Sequence, residues 1–139
     1  MSRLASTFER LKADGQTGLV TYVTAGDPDL PRSEQILRAL DRAGADVLEI
    51  GVPFSDPVAD GPAIQRASDR ALRAGSHLSA VLDLVARVRP DIGAPVVLFT
   101  YVNPILRLGV DTFVERAAQA GVDGVLLLDL PIEESADMT

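Results

Sequence analysis

Val47-Leu-Glu-Ile-Gly-Val-Pro-Phe-Ser-Asp-Pro-Val-Ala-Asp-Gly-Pro62 opens as a buried strand and turns into a loop rich in proline and carboxylate. Its first five residues are apolar except Glu49. Near-continuous Val, Ile and Leu, rather than strict alternation, fits a parallel strand covered on both faces. Prolines at 53, 57 and 62 then limit the backbone, and Gly61 admits a turn. Pro62 opens a predicted helix to Ala74, with proline in its first turn.

The same grammar repeats on either side. Leu19–Thr24, Asp46–Gly51, Val96–Thr100 and Gly124–Leu128 read as strands. Between them run apolar stripes of helical spacing. Ile36, Leu37, Leu40 and Ala43 form one, with Ser33 as N-cap and Gly44 as stop. Leu78, Val81, Leu82, Val85 and Val88 form a second after Ser76. Phe113, Val114, Ala117 and Ala118 form a third, capped by Asp111 and stopped by Gly121. A further helix is expected before the first strand, and another from near Glu133. Ala43-Gly-Ala-Asp46 and Ala120-Gly-Val-Asp123 echo each other, each preceding a strand and a proline-bearing loop.

The fold class is therefore α/β, built from repeated βα units. Four such units suit an open sheet or part of a (β/α)₈ TIM barrel, which takes roughly 250 residues. With 139 residues the chain holds about half of one. No Gly-x-Gly-x-x-Gly follows the first strand, which disfavours a dinucleotide fold. Residues 1–139 read as one piece of a single domain, with no linker or low-complexity segment.

Composition narrows the chemistry. Twenty acidic against thirteen basic side chains leave a net charge of −7, which argues against nucleic-acid binding. No apolar run reaches the roughly 20 residues of a membrane span. Met1–Gly15 lacks a signal-peptide core, so the expected compartment is the cytoplasm. Cysteine is absent, His77 is the single histidine and Lys12 the single lysine. Thiol nucleophiles, a His-based metal cluster and an internal Schiff base have no residues to use. His77, beside Ser76 at a helix start, reads as a surface residue.

Carboxylates remain. Glu49 lies in an apolar strand near its C-terminal end, where barrel enzymes place their sites. There it is either a structural ion pair with an arginine or a carboxyl raised toward neutrality and fit for acid–base work. Asp60 is either a helix N-cap or the second catalytic carboxylate. Asp56 lies on the same loop.

The block Leu48–Pro62, continuing Ala63-Ile64-Gln65, resembles the signature of the tryptophan synthase alpha subunit. Tyr22-Val-Thr-Ala-Gly-Asp-Pro28, Tyr101-Val-Asn-Pro104 and Leu128-Asp-Leu-Pro-Ile-Glu-Glu-Ser135 resemble its other βα loops, in order. The resemblance implies a TIM-barrel lyase that cleaves indole-3-glycerol phosphate to indole and glyceraldehyde 3-phosphate, with Glu49 and Asp60 as its catalytic acids. It implies that Tyr22, Phe99, Tyr101 and Leu126 line the indole pocket, although the family more often has phenylalanine at 22 and a smaller aliphatic at 99. Asp56, Pro57, Asn103 and Glu134 would face a beta subunit, which carries the family's pyridoxal phosphate; the alpha reaction needs no cofactor. The phosphate loops of such barrels follow strands seven and eight, beyond the four units here. The isolated chain is thus expected to be inactive, or to act as a non-catalytic half barrel that self-associates or docks on the beta subunit. A different phosphate-handling barrel, sharing only the βα pattern, is disfavoured by the length of the matching block.

Overall fold

A computed structural model describes residues 1–138 of the chain, apart from the side chains of 137 and 138. Helix α1 (Arg3–Ala13) precedes β1 (Val20–Thr24), α2 (Leu30–Arg42) and β2 (Val47–Gly51). Two helices follow, α3 (Pro62–Arg73) and α4 (Leu78–Val88), then β3 (Val96–Thr100). Helices α5 (Val102–Leu108) and α6 (Val110–Ala120) lead to β4 (Gly124–Leu127). The four strands form one parallel sheet in chain order, β1-β2-β3-β4.

Alternation along the strands sorts the side chains into two faces. Leu48 and Ile50 of β2, with Val96 and Leu98 of β3, are fully buried and face the helices. They pack with Leu37 of α2, with Val81, Leu82, Val85 and Val88 of α4, and with Phe113 and Ala117 of α6. The outward carboxylates fasten this layer. Arg38 of α2 donates to Glu34 and Asp91, and Arg87 of α4 donates to Glu34. Such exposed pairs contribute little each.

Helix α1 lies under the N-terminal end of the sheet. Leu11 sits against Gly18 before β1, and Leu4 against Gly124 of β4. Asp123 ties this end together: its carboxylate pairs with Arg3 and Arg89 and accepts from the Val96 amide at 2.9 Å.

Strand positions match the sequence expectation within a residue, and α3 opens at Pro62 as expected, but the caps expected for the other helices differ. Asp29, not Ser33, caps α2, accepting from the Arg32 amide at 2.8 Å. Ser33 instead lies buried inside α2, its hydroxyl accepting from the Gly26 amide. His77, exposed as expected, caps α4 through its own imidazole, while the buried Ser76 hydroxyl donates to the Ala25 carbonyl. Gly109 precedes α6, leaving Asp111 in the first turn. Tyr101-Val-Asn-Pro104, expected as part of a βα loop, instead runs into α5, so Asn103 is helical. The helix expected near Glu133 is a 3₁₀ helix over Ile132–Met138.

Candidate active site

Because Leu48 and Ile50 face the helices, Glu49 and Gly51 face the opposite side of the sheet. Glu49 pairs in register with Tyr22 of β1 and Val97 of β3. It is half-buried, and among the described residues no arginine pairs with it. Among these residues the carboxylate is therefore not held in a structural ion pair. Its partial exposure has a plain cause: among the described residues, no strand lies across from this face.

Gly51, one step further along β2, is a window. A Cβ there would lie 2.0 Å from the Tyr22 hydroxyl, so only glycine lets that ring cross the strand. The Tyr22 ring meets Phe99 of β3 edge-on, centroids 5.3 Å apart. Phe99 in turn stands in register with Leu126 of β4. Tyr22, Phe99 and Leu126 thus belong to the face that carries Glu49. Thr24 donates to the Tyr22 oxygen at 3.4 Å. Burial pushes the Tyr22 phenol above its ordinary pKa; the charges of Asp60 and Glu49 add to that, against the Thr24 hydrogen bond. Those two carboxylates therefore both act on one phenol, although one lies in β2 and the other in the loop beyond it.

Asp60 is not a helix cap. Gly61 is the cap residue of α3 and offers no side-chain hydrogen bond. The Asp60 carboxylate instead accepts from the Tyr101 hydroxyl at 3.0 Å. The same phenol oxygen accepts from the Ala59 amide at 3.0 Å. Tyr101, immediately after β3, has its ring buried against Phe54, centroids 5.1 Å apart. Gln65 of α3 closes the loop from the other side, donating to the Asp60 carbonyl at 2.9 Å and the Pro57 carbonyl at 3.4 Å. Desolvation holds the Tyr101 phenol above its usual range, and the Asp60 carboxylate adds to this against the Ala59 hydrogen bond. It stays a neutral donor.

Asp56 and Asn103 are exposed and Pro57 is half-buried, on the β2–α3 loop and the first turn of α5. Glu134 is exposed in the 3₁₀ helix after β4. The structure also adds two residues that the sequence did not single out. Asp129 accepts from the Val102 amide at 2.9 Å, tying the loop after β4 to the start of α5. Gln65 braces Asp60 as described. Neither role has a local sequence signal, since each bond joins separate loops or elements. Among the described residues, no group of His, Asp and Glu is placed to hold a metal ion. No helix among them is long and apolar enough to cross a membrane.

The arrangement offers an apolar aromatic wall beside Glu49, a carboxylate without an ion-pair partner among the described residues. A second carboxylate is oriented by a phenol at the C-terminal edge of the sheet. That pairing suits proton transfer at one end of an aromatic ligand and electrostatic support at the other.

Comparison with known proteins identifies the family of the chain. The sequence profile described as tryptophan synthase alpha chain matches residues 8–139. The tryptophan synthase alpha chain of Desulfosudis oleivorans is 54% identical over 139 residues, covering 100% of this chain and 52% of that protein. That of Geobacter sulfurreducens is 55% identical over 137 residues, 99% of this chain and 52% of the relative. Among solved structures, subunit alpha from Legionella pneumophila superposes with a TM-score of 0.96 at 46% identity. It covers 99% of this chain and 53% of that one. A ligand-free form of tryptophan synthase from M. tuberculosis, with a point substitution in TrpA, gives 0.93 at 40%, covering 99% and 55%. The chain spans about half the length of the relatives it matches, so its sheet corresponds to four βα units of a (β/α)₈ barrel. With more than nine-tenths of its residues matched by the profile, the chain belongs to the tryptophan synthase alpha chain family.

Proposed function

We propose that the chain contributes the two catalytic carboxylates of a carbon–carbon lyase in tryptophan biosynthesis. The reaction cleaves indole-3-glycerol phosphate to indole and glyceraldehyde 3-phosphate. One observation carries the reading: Glu49, with no ion-pair partner among the described residues, stands beside the Tyr22–Phe99 wall, while Asp60 is oriented by Tyr101.

In this mechanism Glu49 first gives its proton to C3 of the indole ring. Positive charge develops at the ring nitrogen, whose N–H donates to the Asp60 carboxylate. The Glu49 carboxylate then takes the proton of the hydroxyl on the side-chain carbon bonded to C3. As that O–H breaks, its electrons form the aldehyde carbonyl and the C–C bond breaks. Its electron pair restores the aromatic ring, and Glu49 ends protonated, ready for another turn. Tyr22, Phe99 and Leu126 would form the apolar wall against the ring, with Tyr101 beside it as the group that orients Asp60. No cofactor enters these steps. Pyridoxal phosphate would belong to a beta subunit docked through Asp56, Pro57, Asn103 and Glu134, in the cytoplasm.

The phosphate end of the substrate would be held by loops after the seventh and eighth strands of a barrel. The 139-residue chain alone is therefore inactive in this reading, and full activity needs all eight βα units. Indole release from indole-3-glycerol phosphate tests this directly. The chain alone should give none above background, and the eight-unit barrel containing it should give indole at an enzyme's rate. Turnover by the chain alone at the barrel's rate would refute the dependence on the other half. A barrel that retains its rate as Glu49→Gln would refute the role of Glu49.

A further inference from the structure

A cleft of about 380 Å³ opens beside the β2–α3 loop, and neither carboxylate site residue nor the aromatic wall lines it. Its body is apolar: Phe54 from the loop, Leu72 from α3, Leu78 from α4 and Leu108 from α5. The volume falls in the range of small-molecule sites, roughly 300–1,000 Å³. Two nitrogen donors stand at its edge. Arg107 in the last turn of α5 is exposed and has no acidic partner among the described residues. The His77 Nδ1 accepts from the Ala80 amide at 3.3 Å, so its proton sits on Nε2 and is available. No carboxylate lines the cleft, although the chain as a whole is acidic.

We propose that this cleft binds a compact apolar anion: one flat or branched hydrocarbon body with a single carboxylate, held by Arg107 and His77 against Phe54. Arg107 can grip a carboxylate with two parallel N–H groups, and Phe54 is among the apolar residues that line the cleft for the body. Phe54 is backed by Tyr101, which holds Asp60 and the Ala59 amide. A filled cleft therefore braces the loop that carries Asp60. Binding does not depend on the lyase reading; only the bearing of this bracing on catalysis rests on it.

The test uses 2-naphthoate as the probe, the uncharged 2-naphthamide as its control, and the ¹⁵N-labelled 139-residue chain. Saturable amide shift changes are expected at Phe54, Leu78 and Leu108. Affinity should fall by about tenfold with 2-naphthamide or in Arg107→Gln, the loss of one charge-assisted contact. Arg107 is exposed, so this variant keeps the fold, and an unchanged circular dichroism spectrum verifies it. Shifts confined to Tyr22, Phe99 and Leu126, no saturable binding, or equal affinity in Arg107→Gln would each overturn the site. Exchange of the Ala59 amide should slow several-fold on binding; saturable binding with unchanged exchange would overturn the link to Asp60. Neither readout uses lyase activity, so failure of this inference and failure of the catalytic reading are separable.

Discussion

Replacing Tyr101 by phenylalanine isolates one oxygen atom on which the Asp60 loop depends. The ring keeps its packing on Phe54, since only the hydroxyl is lost. Two hydrogen bonds go with it, one donated to Asp60 and one accepted from Ala59, each 3.0 Å long. A bond to a charged group is worth about 1.5–3 kcal/mol and a neutral one about 0.5–1.5 kcal/mol. Asp60 and Ala59 both reach water, which replaces part of what is lost, so about 1–2 kcal/mol of local stability should disappear. That corresponds to roughly 5- to 30-fold faster opening of the loop. Because the loop opens locally, the global unfolding midpoint should barely move.

Amide exchange at Ala59 reads this opening directly. In Tyr101→Phe it should accelerate by about tenfold, while amides of β2 and β3 keep their rates. Unchanged exchange at Ala59 would refute the claim that this phenol holds the loop. The same bond sets a pH window. The folded-state pKa of Tyr101 is raised, so its contribution is complete below the ordinary tyrosine value of about 10. It is lost as pH rises through the higher folded value. Ala59 protection, corrected for intrinsic exchange, should therefore be flat from neutrality to about pH 9 and fall in stronger alkali.

Other outcomes follow from the same geometry. Gly51→Ala places a methyl 2.0 Å from the Tyr22 hydroxyl and should cost about 1–3 kcal/mol in urea unfolding; Tyr22→Leu in that background should recover most of it. Asp123→Asn weakens two ion pairs around a carboxylate that is only 7% exposed. It should lower stability by about 2–4 kcal/mol, and an unchanged urea midpoint would show that the carboxylate is dispensable. In a complete barrel, Glu49→Gln should reduce kcat at least about a hundredfold with KM little changed, the pattern of a lost proton carrier.

Periodicity gave the strands because their environment is uniform. Leu48, Ile50, Val96 and Leu98 are buried by helices, and composition records that burial residue by residue. Helix starts were harder, since a cap depends on where the chain turns. Leu30 and Pro31 begin α2 before any apolar stripe appears, so the eye falls on Ser33 instead of Asp29. Helix α5 has seven residues, too few for a period to declare itself. Glu49 was visible as a carboxylate out of place in an apolar run. Asp60 was visible only as one of two readings; its bond from Tyr101, 41 residues further along, goes with the loss of the N-cap reading and leaves the catalytic one as the proposal. Non-local hydrogen bonds of that kind leave no pattern in the sequence.

The base helix α1 joins the two ends of the sheet, so the order of synthesis matters to it. Arg3 reaches the Gly121 carbonyl and the Asp123 carboxylate, and Leu4 rests on Gly124. Helix α1, made before all four strands described, therefore has to wait for β4, the fourth of them, before these contacts can form. At roughly 5–20 residues per second, the wait is on the order of 10 s. Throughout it the nascent chain carries an amphipathic helix seated only at its Leu11 end, a natural handle for a chaperone.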